Sequence, residues 1–164
     1  MVTIRKIKEK DISIFLDLWK QFIKDHKNIV VKGNFLLKPH ITTKKNILDI
    51  FKPYLQKIIA SKNSTIFLAE FEGKLVGFIL LKIYPNNPLF KLDYLGTIDD
   101  LFVKKEFRGR GISSKLKDVA IVWFKKKGVA YLSVGAFADN PASLAIYEKW
   151  GFFKYRTEFR KNLK

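Results

Sequence analysis

The sequence predicts an α/β protein with about seven strands and four helices in a single domain over residues 1–164. The 164 residues are 48% hydrophobic and 15% aromatic, which is enough to build one core. Two apolar runs in the middle of the chain are joined by Glu72-Gly73, a strong signal for a hairpin. Between residues 93 and 127, an apolar strand passes through a basic glycine turn into an amphipathic helix.

The first 60 residues predict an edge strand followed by two helices. Residues 2–7 alternate in the way that a half-buried strand does. Asp11 is suited to cap a helix, and the apolar residues after it recur at helical spacing: Phe15, Leu18, Trp19, Phe22 and Ile23. Thr43 is suited to cap the second helix, in which Pro53 predicts a kink.

Three strands are predicted next, at residues 65–71, 74–84 and 93–103. The second is apolar on both faces, which is typical of a strand in the middle of a covered sheet. Successive side chains of a strand alternate between its faces. We therefore expect Asp99 and Asp100 to point to opposite sides of the sheet.

The C-terminal third predicts two helices and three short strands. The first helix, over residues 112–127, ends at Gly128 and presents an apolar face formed by Leu116, Val119, Ala120 and Trp123. After a strand at 130–135, Asn140 caps the second helix, with Pro141 at its first position. Residues 152–155 and 157–162 are expected to complete the sheet as two strands.

Composition excludes several kinds of chemistry. The chain has no cysteine, which excludes disulfides, thiolate metal sites and a cysteine nucleophile. The two histidines, His26 and His40, lack the spacing of a helical metal-binding pair, so we expect no metal site. The N-terminus lacks the apolar core of a signal peptide, and no apolar run is long enough to span a bilayer. We therefore expect a cytoplasmic protein without membrane contact.

The formal net charge of +17 raises the question of nucleic-acid binding. Most of this charge is lysine dispersed along the whole chain, as on a solvated surface, rather than clustered on one segment. The distribution does not favour nucleic acid as a partner.

The turn at residues 108–114 has the features of a phosphate-binding loop. Gly109 and Gly111 free backbone N–H groups at the start of a helix, where the helix dipole is positive, and Arg108, Arg110 and Lys115 add charge. The spacing does not fit a P-loop, because Ser114 precedes the lysine. It does not fit a dinucleotide fingerprint either, because the third glycine is missing.

The order of elements and two motifs resemble the GCN5-related N-acetyltransferase (GNAT) superfamily over nearly the full chain. Residues 108–113, Arg-Gly-Arg-Gly-Ile-Ser, resemble the acetyl-coenzyme A loop of that family, with Ser113 in place of its final Gly or Ala. Residues 140–152 resemble the C-terminal signature in the spacing of Asn140, Tyr147 and Gly151. The resemblance implies a mixed, mostly antiparallel central sheet, in the order strand, two helices, three strands, helix, strand, helix and two strands.

The resemblance also implies direct transfer of an acetyl group from acetyl-coenzyme A (acetyl-CoA), as cosubstrate and without a metal, to a primary amine of a small molecule, peptide or protein. Tyr147 would protonate the departing thiolate, since a phenol is neutral at pH 7. Asn140 and Tyr147 would also contact the cosubstrate. The strand backbone and the turn would bind it through Leu101, Phe102, Val103, Arg108, Gly109, Arg110, Gly111, Ile112, Ser113 and Ser114.

The base that accepts the amine proton is less well defined by the sequence. The glutamates that many family members carry are replaced here by Thr97 and Gly135. Asp99 and Asp100 resemble the acidic pair of polyamine acetyltransferases, which implies Asp99 as base and Asp100 as amine anchor. A water relay is the alternative, and the positive net charge argues against free polyamines as substrates.

A noncatalytic acyl-CoA sensor and a basic nucleic-acid-binding module are the rival functions. The resemblance also permits a homodimer.

Overall fold

The computed structural model describes residues 1–163, which form five strands and five α-helices. In chain order they are β1 (Val2–Lys6), α1 (Ile12–Gly33), α2 (Lys38–Ile41), α3 (Ile47–Ala60), β2 (Ser64–Phe71), β3 (Lys74–Pro85), β4 (Tyr94–Val103), α4 (Ile112–Lys126), β5 (Leu132–Val134) and α5 (Pro141–Lys149). None of the helices within these residues combines the length and the hydropathy that a membrane span requires.

The strands form one mixed sheet in the order β1-β2-β3-β4-β5. The first three pairings are antiparallel, and β4 pairs with β5 in parallel. The predicted hairpin between β2 and β3 is confirmed: Glu72 and Gly73 both have positive φ, at 50° and 75°. A two-residue turn of this conformation matches the twist of the strands that it joins.

Both faces of the sheet are covered, by α1 and α3 on one side and by α4 on the other. Strand β3 is buried on both faces, as predicted. Phe78 and Leu80 pack under α1 and α3, whereas Ile79 and Leu81 pack under α4.

The prediction of seven strands and four helices is wrong for the described residues, because α2 is an additional short helix and no strand follows β5. Residues 152–163 form no regular structure, and Phe153, Tyr155 and Phe159 are exposed. Their sequence alternates like a strand, but a strand forms only where a neighbour accepts and donates its backbone hydrogen bonds. The sheet formed within residues 1–163 contains only β1 to β5, and none of these strands forms a ladder with this segment.

Two predicted caps also differ from the structure. The Asp11 carboxylate accepts hydrogen bonds from the Arg5 guanidinium, at 2.7 and 2.9 Å, and from the Lys8 backbone N–H at 2.8 Å, instead of from α1. Helix α3 begins after Asn46, so Thr43 does not cap it, and it continues through Pro53 to Ala60. At Asp11 the contact with Arg5 replaces the predicted helix cap. At Thr43 a longer loop moves the start of the helix to Ile47.

Helix α4 lies very close to β4. Its buried residues are Ile112, Leu116, Ala120 and Phe124, whereas Val119 and Trp123, which the sequence placed on the buried face, are only half-buried. A Cβ atom built on Gly96 would lie 2.7 Å from the Phe124 ring. The absence of a side chain at Gly96 thus allows α4 to approach the strand that carries the two aspartates.

Candidate active site

A cavity of about 570 Å³ lies between α1, the central part of β4 and the start of α5. Both aspartates of β4, Asp99 and Asp100, line it together with Leu101. Asn140 and Tyr147 line it from the side of α5. The fold therefore brings the two aspartates close to two side chains that lie 40 residues or more further along the chain.

A β-bulge at Asp99 places both aspartates on the same side of the sheet. Leu80 of β3 pairs with Asp100, but the next residue, Leu81, pairs with Ile98, so Asp99 is the extra residue. Ile98 accordingly packs under α4, while Leu80, the partner of Asp100, packs under α1 and α3. The expectation that Asp99 and Asp100 point to opposite faces is wrong, because it assumed an unbroken alternation.

The carboxylate of Asp99 forms an ion pair with the ammonium of Lys82 on β3. The Tyr84 hydroxyl donates a weak hydrogen bond of 3.4 Å to the same carboxylate. Burial acts to lower the pKa of Lys82, but its contacts with Asp99, Tyr54 and Tyr84 outweigh burial and raise this pKa above its usual value. Lys82 therefore keeps its positive charge beside Asp99.

Asp100 has a different environment from its neighbour. Burial, reinforced by the negative charge of Asp99 and opposed by Lys82, raises the pKa of Asp100 to about 6. At neutral pH this carboxylate is mostly ionised, yet it binds a proton far more readily than an exposed aspartate does. Such a group can accept a proton from an incoming ammonium.

Tyr147 lies on α5, with its ring against Trp150 and Phe152 at centroid distances of 5.9 and 6.1 Å. Burial, together with the nearby charge of Asp100, raises the pKa of the Tyr147 phenol above its usual value. The phenol is therefore protonated at neutral pH and available as a proton donor.

Asn140 caps α5. Its side-chain oxygen accepts a hydrogen bond of 3.2 Å from the Ser143 N–H, and its own N–H donates to the Phe137 carbonyl at 3.0 Å. The capping role predicted for Asn140 is confirmed, and a contact with the cosubstrate stays a prediction.

Strands β4 and β5 separate at the bulge. The residues of β4 that pair with β5 are Gly96, Thr97 and Ile98, and the pairing ends just before Asp99. The Lys104 N–H donates to the Val76 carbonyl on β3. Backbone groups alternate in direction along an antiparallel strand, so Leu101 and Val103 direct theirs to the opposite, open edge. The Val103 carbonyl at this edge accepts a hydrogen bond from Arg108, which leaves the backbone groups of Leu101 and the Val103 N–H for an extended ligand that contains amide groups.

The glycine turn leads from the open edge into α4. Gly109 and Gly111 have positive φ values of 75° and 73°. An added Cβ would meet nothing within 4 Å at either position, so glycine is required by the backbone conformation and not by lack of space. Gly111 is the N-cap of α4, and the N–H groups of the first helical turn have no acceptor within the helix.

The two arginines of the turn are engaged by other parts of the protein. Arg108 donates a hydrogen bond of 2.9 Å from Nε to the Val103 carbonyl and forms an ion pair with Asp25 of α1. Arg110 lies over the rings of Phe71 and Phe107, at 6.0 and 5.4 Å. The donors of this turn that can bind an anion are therefore the backbone amides and the N–H groups of the exposed Arg110 guanidinium, which its ring contacts do not use.

Two residues near the cavity were not identified from the sequence. Lys82 directly follows the apolar run of β3. A lysine inside a predicted core strand was the signal in the sequence that could have pointed to this residue. His26 lines the cavity between the rings of Phe22 and Phe137, and burial lowers its pKa.

No group of three or more His, Asp or Glu side chains in residues 1–163 is arranged to hold a metal ion.

Comparison with known proteins agrees with this geometry. The profile of the Acetyltransferase (GNAT) family matches residues 38–152, which include the bulge, the glycine turn and Tyr147. The chain belongs to this family. The resemblance inferred from the two sequence motifs is thereby confirmed.

This chain is 30% identical over 118 residues to an uncharacterized N-acetyltransferase of Archaeoglobus fulgidus. The match covers 71% of this chain and 78% of that protein. It is 36% identical over 88 residues to N-alpha-acetyltransferase MAK3 of Arabidopsis thaliana, covering 54% of this chain and 44% of that protein. The matches cover between 28% and 60% of the length of the first three curated relatives.

The fold is also similar to that of a solved structure, a predicted acetyltransferase with acetyl-CoA from Clostridium acetobutylicum. The two share a TM-score of 0.78 at 19% sequence identity, over 99% of this chain and 97% of the other.

Proposed function

We propose that this chain is a single-domain N-acetyltransferase that moves the acetyl group of acetyl-CoA directly to a primary amine of a small molecule, a peptide or a protein. The observation that carries the proposal is the position of Asp100 and Tyr147. Both line one cavity at the point where β4 and β5 separate. A carboxylate that could accept a proton and a phenol that could donate one thus line the same space, which supports the proposal.

The residues of the chain fit acetyl-CoA, which would supply an activated acetyl group on a thiol. The open edge of β4 at Leu101 and Val103 suits the amides of the pantetheine arm, with Phe102 anchoring the strand in the core. The free amides from Gly109 to Ser114 suit the pyrophosphate. We also assign Asn140 to this site, because it lines the same cavity.

We assign proton acceptance to Asp100 instead of Asp99. The carboxylate of Asp99 is ion-paired with Lys82, whereas the pKa of Asp100 is raised to about 6. Asp100 would take the proton of the incoming ammonium, directly or through one water molecule. The neutral amine nitrogen would then form its bond to the acetyl carbon while the bond from that carbon to sulfur breaks. The nitrogen would lose its second proton to water, from which Tyr147 would regain the proton that it gives to sulfur.

We assign to Tyr147 the proton that the departing thiolate takes up. Its phenol is protonated at neutral pH and lines the cavity from α5. It would give its proton to the departing thiolate, which neutralises the charge that develops on sulfur.

Two measurements test this function. Calorimetry with acetyl-CoA should show saturable binding at one site. Incubation with acetyl-CoA and a panel of polyamines, aminoglycosides and peptides should then release free thiol only in the presence of a suitable amine.

Failure to bind acetyl-CoA would contradict the proposal. Binding without thiol release for any amine would favour the acyl-CoA sensor, and salt-dependent binding to DNA alone would favour the nucleic-acid module. A cytoplasmic location and a homodimer stay predictions.

A further inference from the structure

Lys82 is a charged residue that directly follows the buried run of β3, residues 75–81. Only 17% of its side chain is exposed, and its ammonium lies 5.1 Å from the ring centre of Tyr54 and 5.8 Å from that of Tyr84. These rings confine the ammonium next to Asp99, with which it forms an ion pair. Burying a lysine is unfavourable unless its charge is compensated, so the pair is held together by its surroundings.

The ion pair determines the charge that the cavity presents to a substrate. Asp99 is compensated by Lys82, whereas Asp100 makes no ion pair with any residue of the described chain. Among the described residues that line the cavity, the one other charged group is Lys27, which is positive. Arg160 contacts His40 at the wall, but it is ion-paired with Glu158. The cavity therefore offers one uncompensated carboxylate.

We propose that Lys82 is a specificity-determining residue which, by neutralising Asp99, restricts the acceptor to amines that carry a single positive charge. This inference rests on the proposed function and adds the class of substrate to it. The one ammonium of a monoamine would be compensated by Asp100. A second ammonium on the same molecule would find no further uncompensated carboxylate in the lining and would be repelled by the positive charge of Lys27.

The test compares two amines with the same carbon chain, pentan-1-amine and pentane-1,5-diamine. Binding is measured by calorimetry in the presence of CoA, so that no turnover is needed, and kcat/KM is measured separately with acetyl-CoA. We expect the wild-type protein to bind the monoamine at least about tenfold tighter than the diamine, which corresponds to about 1.4 kcal/mol.

Substitution of Lys82 should change this ratio. In Lys82→Met the carboxylate of Asp99 is freed, and we expect the diamine to bind at least as tightly as the monoamine. Lys82→Arg keeps the charge and should keep the preference of the wild type. The double variant Lys82→Met, Asp99→Asn removes the freed carboxylate and should restore the monoamine preference.

Lys117→Met is the matched control. Lys117 is 18% exposed, forms an ion pair with Asp118 and lies over an aromatic ring, that of Trp150, but it belongs to α4 on the other face of the sheet. Its removal changes the net charge by the same amount and should leave the ratio of the two affinities unchanged.

Several outcomes would overturn the inference: equal or tighter binding of the diamine by the wild type, binding of neither amine, or an unchanged ratio in Lys82→Met. If Lys82→Met does not fold, as judged by circular dichroism, the wild type and Lys82→Arg still decide, because both must prefer the monoamine. Absence of thiol release with every amine would instead count against the proposed function, whatever the binding ratio.

Discussion

Asp100 on β4 and Tyr147 on α5 line the same cavity, and the negative charge of Asp100 contributes to the raised pKa of the Tyr147 phenol. The two groups are thus electrostatically coupled across the space where the reaction would take place. The carboxylate has its pKa raised to about 6 and the phenol keeps its proton, so at neutral pH one is ready to accept a proton and the other to donate one.

Replacing Tyr147 by Phe should slow transfer and spare binding of acetyl-CoA. Loss of a positioned proton donor costs about 10²-fold or more in rate, while the ring keeps its packing against Trp150 and Phe152. Steady-state release of free thiol and calorimetry with acetyl-CoA measure the two effects. Tyr131→Phe, at an exposed tyrosine outside the cavity, is the control. Unchanged turnover in Tyr147→Phe would remove the catalytic role.

The pH dependence of kcat/KM should report on Asp100. Its carboxylate accepts a proton only when ionised, so activity should fall by about tenfold per unit as the pH drops below about 6. In Asp100→Asn this bend should disappear, together with most of the activity. A bend near pH 6 that persists in Asp100→Asn would assign the titration to another group.

Asp100→Asn should also make the protein more stable at pH 7. The pKa of Asp100 in the folded state, about 6, lies above the unfolded value of 3.8, so the buried charge destabilises the fold above pH 6 and this cost vanishes below about pH 4. The gain should reach at most about 3 kcal/mol, at about 1.4 kcal/mol per pKa unit. Thermal unfolding at pH 7 and pH 4 measures it, with the exposed Asp93→Asn as control. An equal gain at both pH values would contradict the electrostatic explanation.

The glycine turn can be tested with two glycines that flank the same helix. Gly111 and Gly128 lie before and after α4, with φ of 73° and 72° and with nothing near an added Cβ. Alanine at either position should cost about 1–2 kcal/mol in stability, because its Cβ disfavours positive φ. Only Gly111→Ala should also weaken binding of acetyl-CoA, by tenfold or more in calorimetry. Equal affinity in the two variants would show that the turn does not hold the cosubstrate.

Gly96→Ala should destabilise the protein through crowding. Its Cβ would meet the Phe124 ring at 2.7 Å and the Leu132 side chain at 2.8 Å, and overpacking of this kind costs about 1–3 kcal/mol. Gly135→Ala is the control, since a Cβ there meets nothing within 4 Å. Chemical denaturation of both variants gives the difference, and equal midpoints would contradict the tight packing of α4 on β4.

Much of the fold was predictable because its signals are local. The hairpin at Glu72-Gly73, the doubly buried strand β3 and the glycine turn before α4 depend on residues that are neighbours in sequence. The two terminal strands were not predictable in the same way. The alternation in residues 152–163 is a local signal, but a strand also needs a partner, and none of the described elements provides one.

By itself, the sequence determined the family and the glycine turn, and it selected Asp99, Asp100 and Tyr147 as candidate catalytic residues. Only the tertiary structure decided how the two aspartates differ. The bulge depends on the register between β3 and β4, and the ion pair depends on Lys82, which lies 17 residues before Asp99 in the chain but on the neighbouring strand. Pairing between strands and burial are long-range properties, and they make Asp99 a partner of Lys82 while they raise the pKa of Asp100.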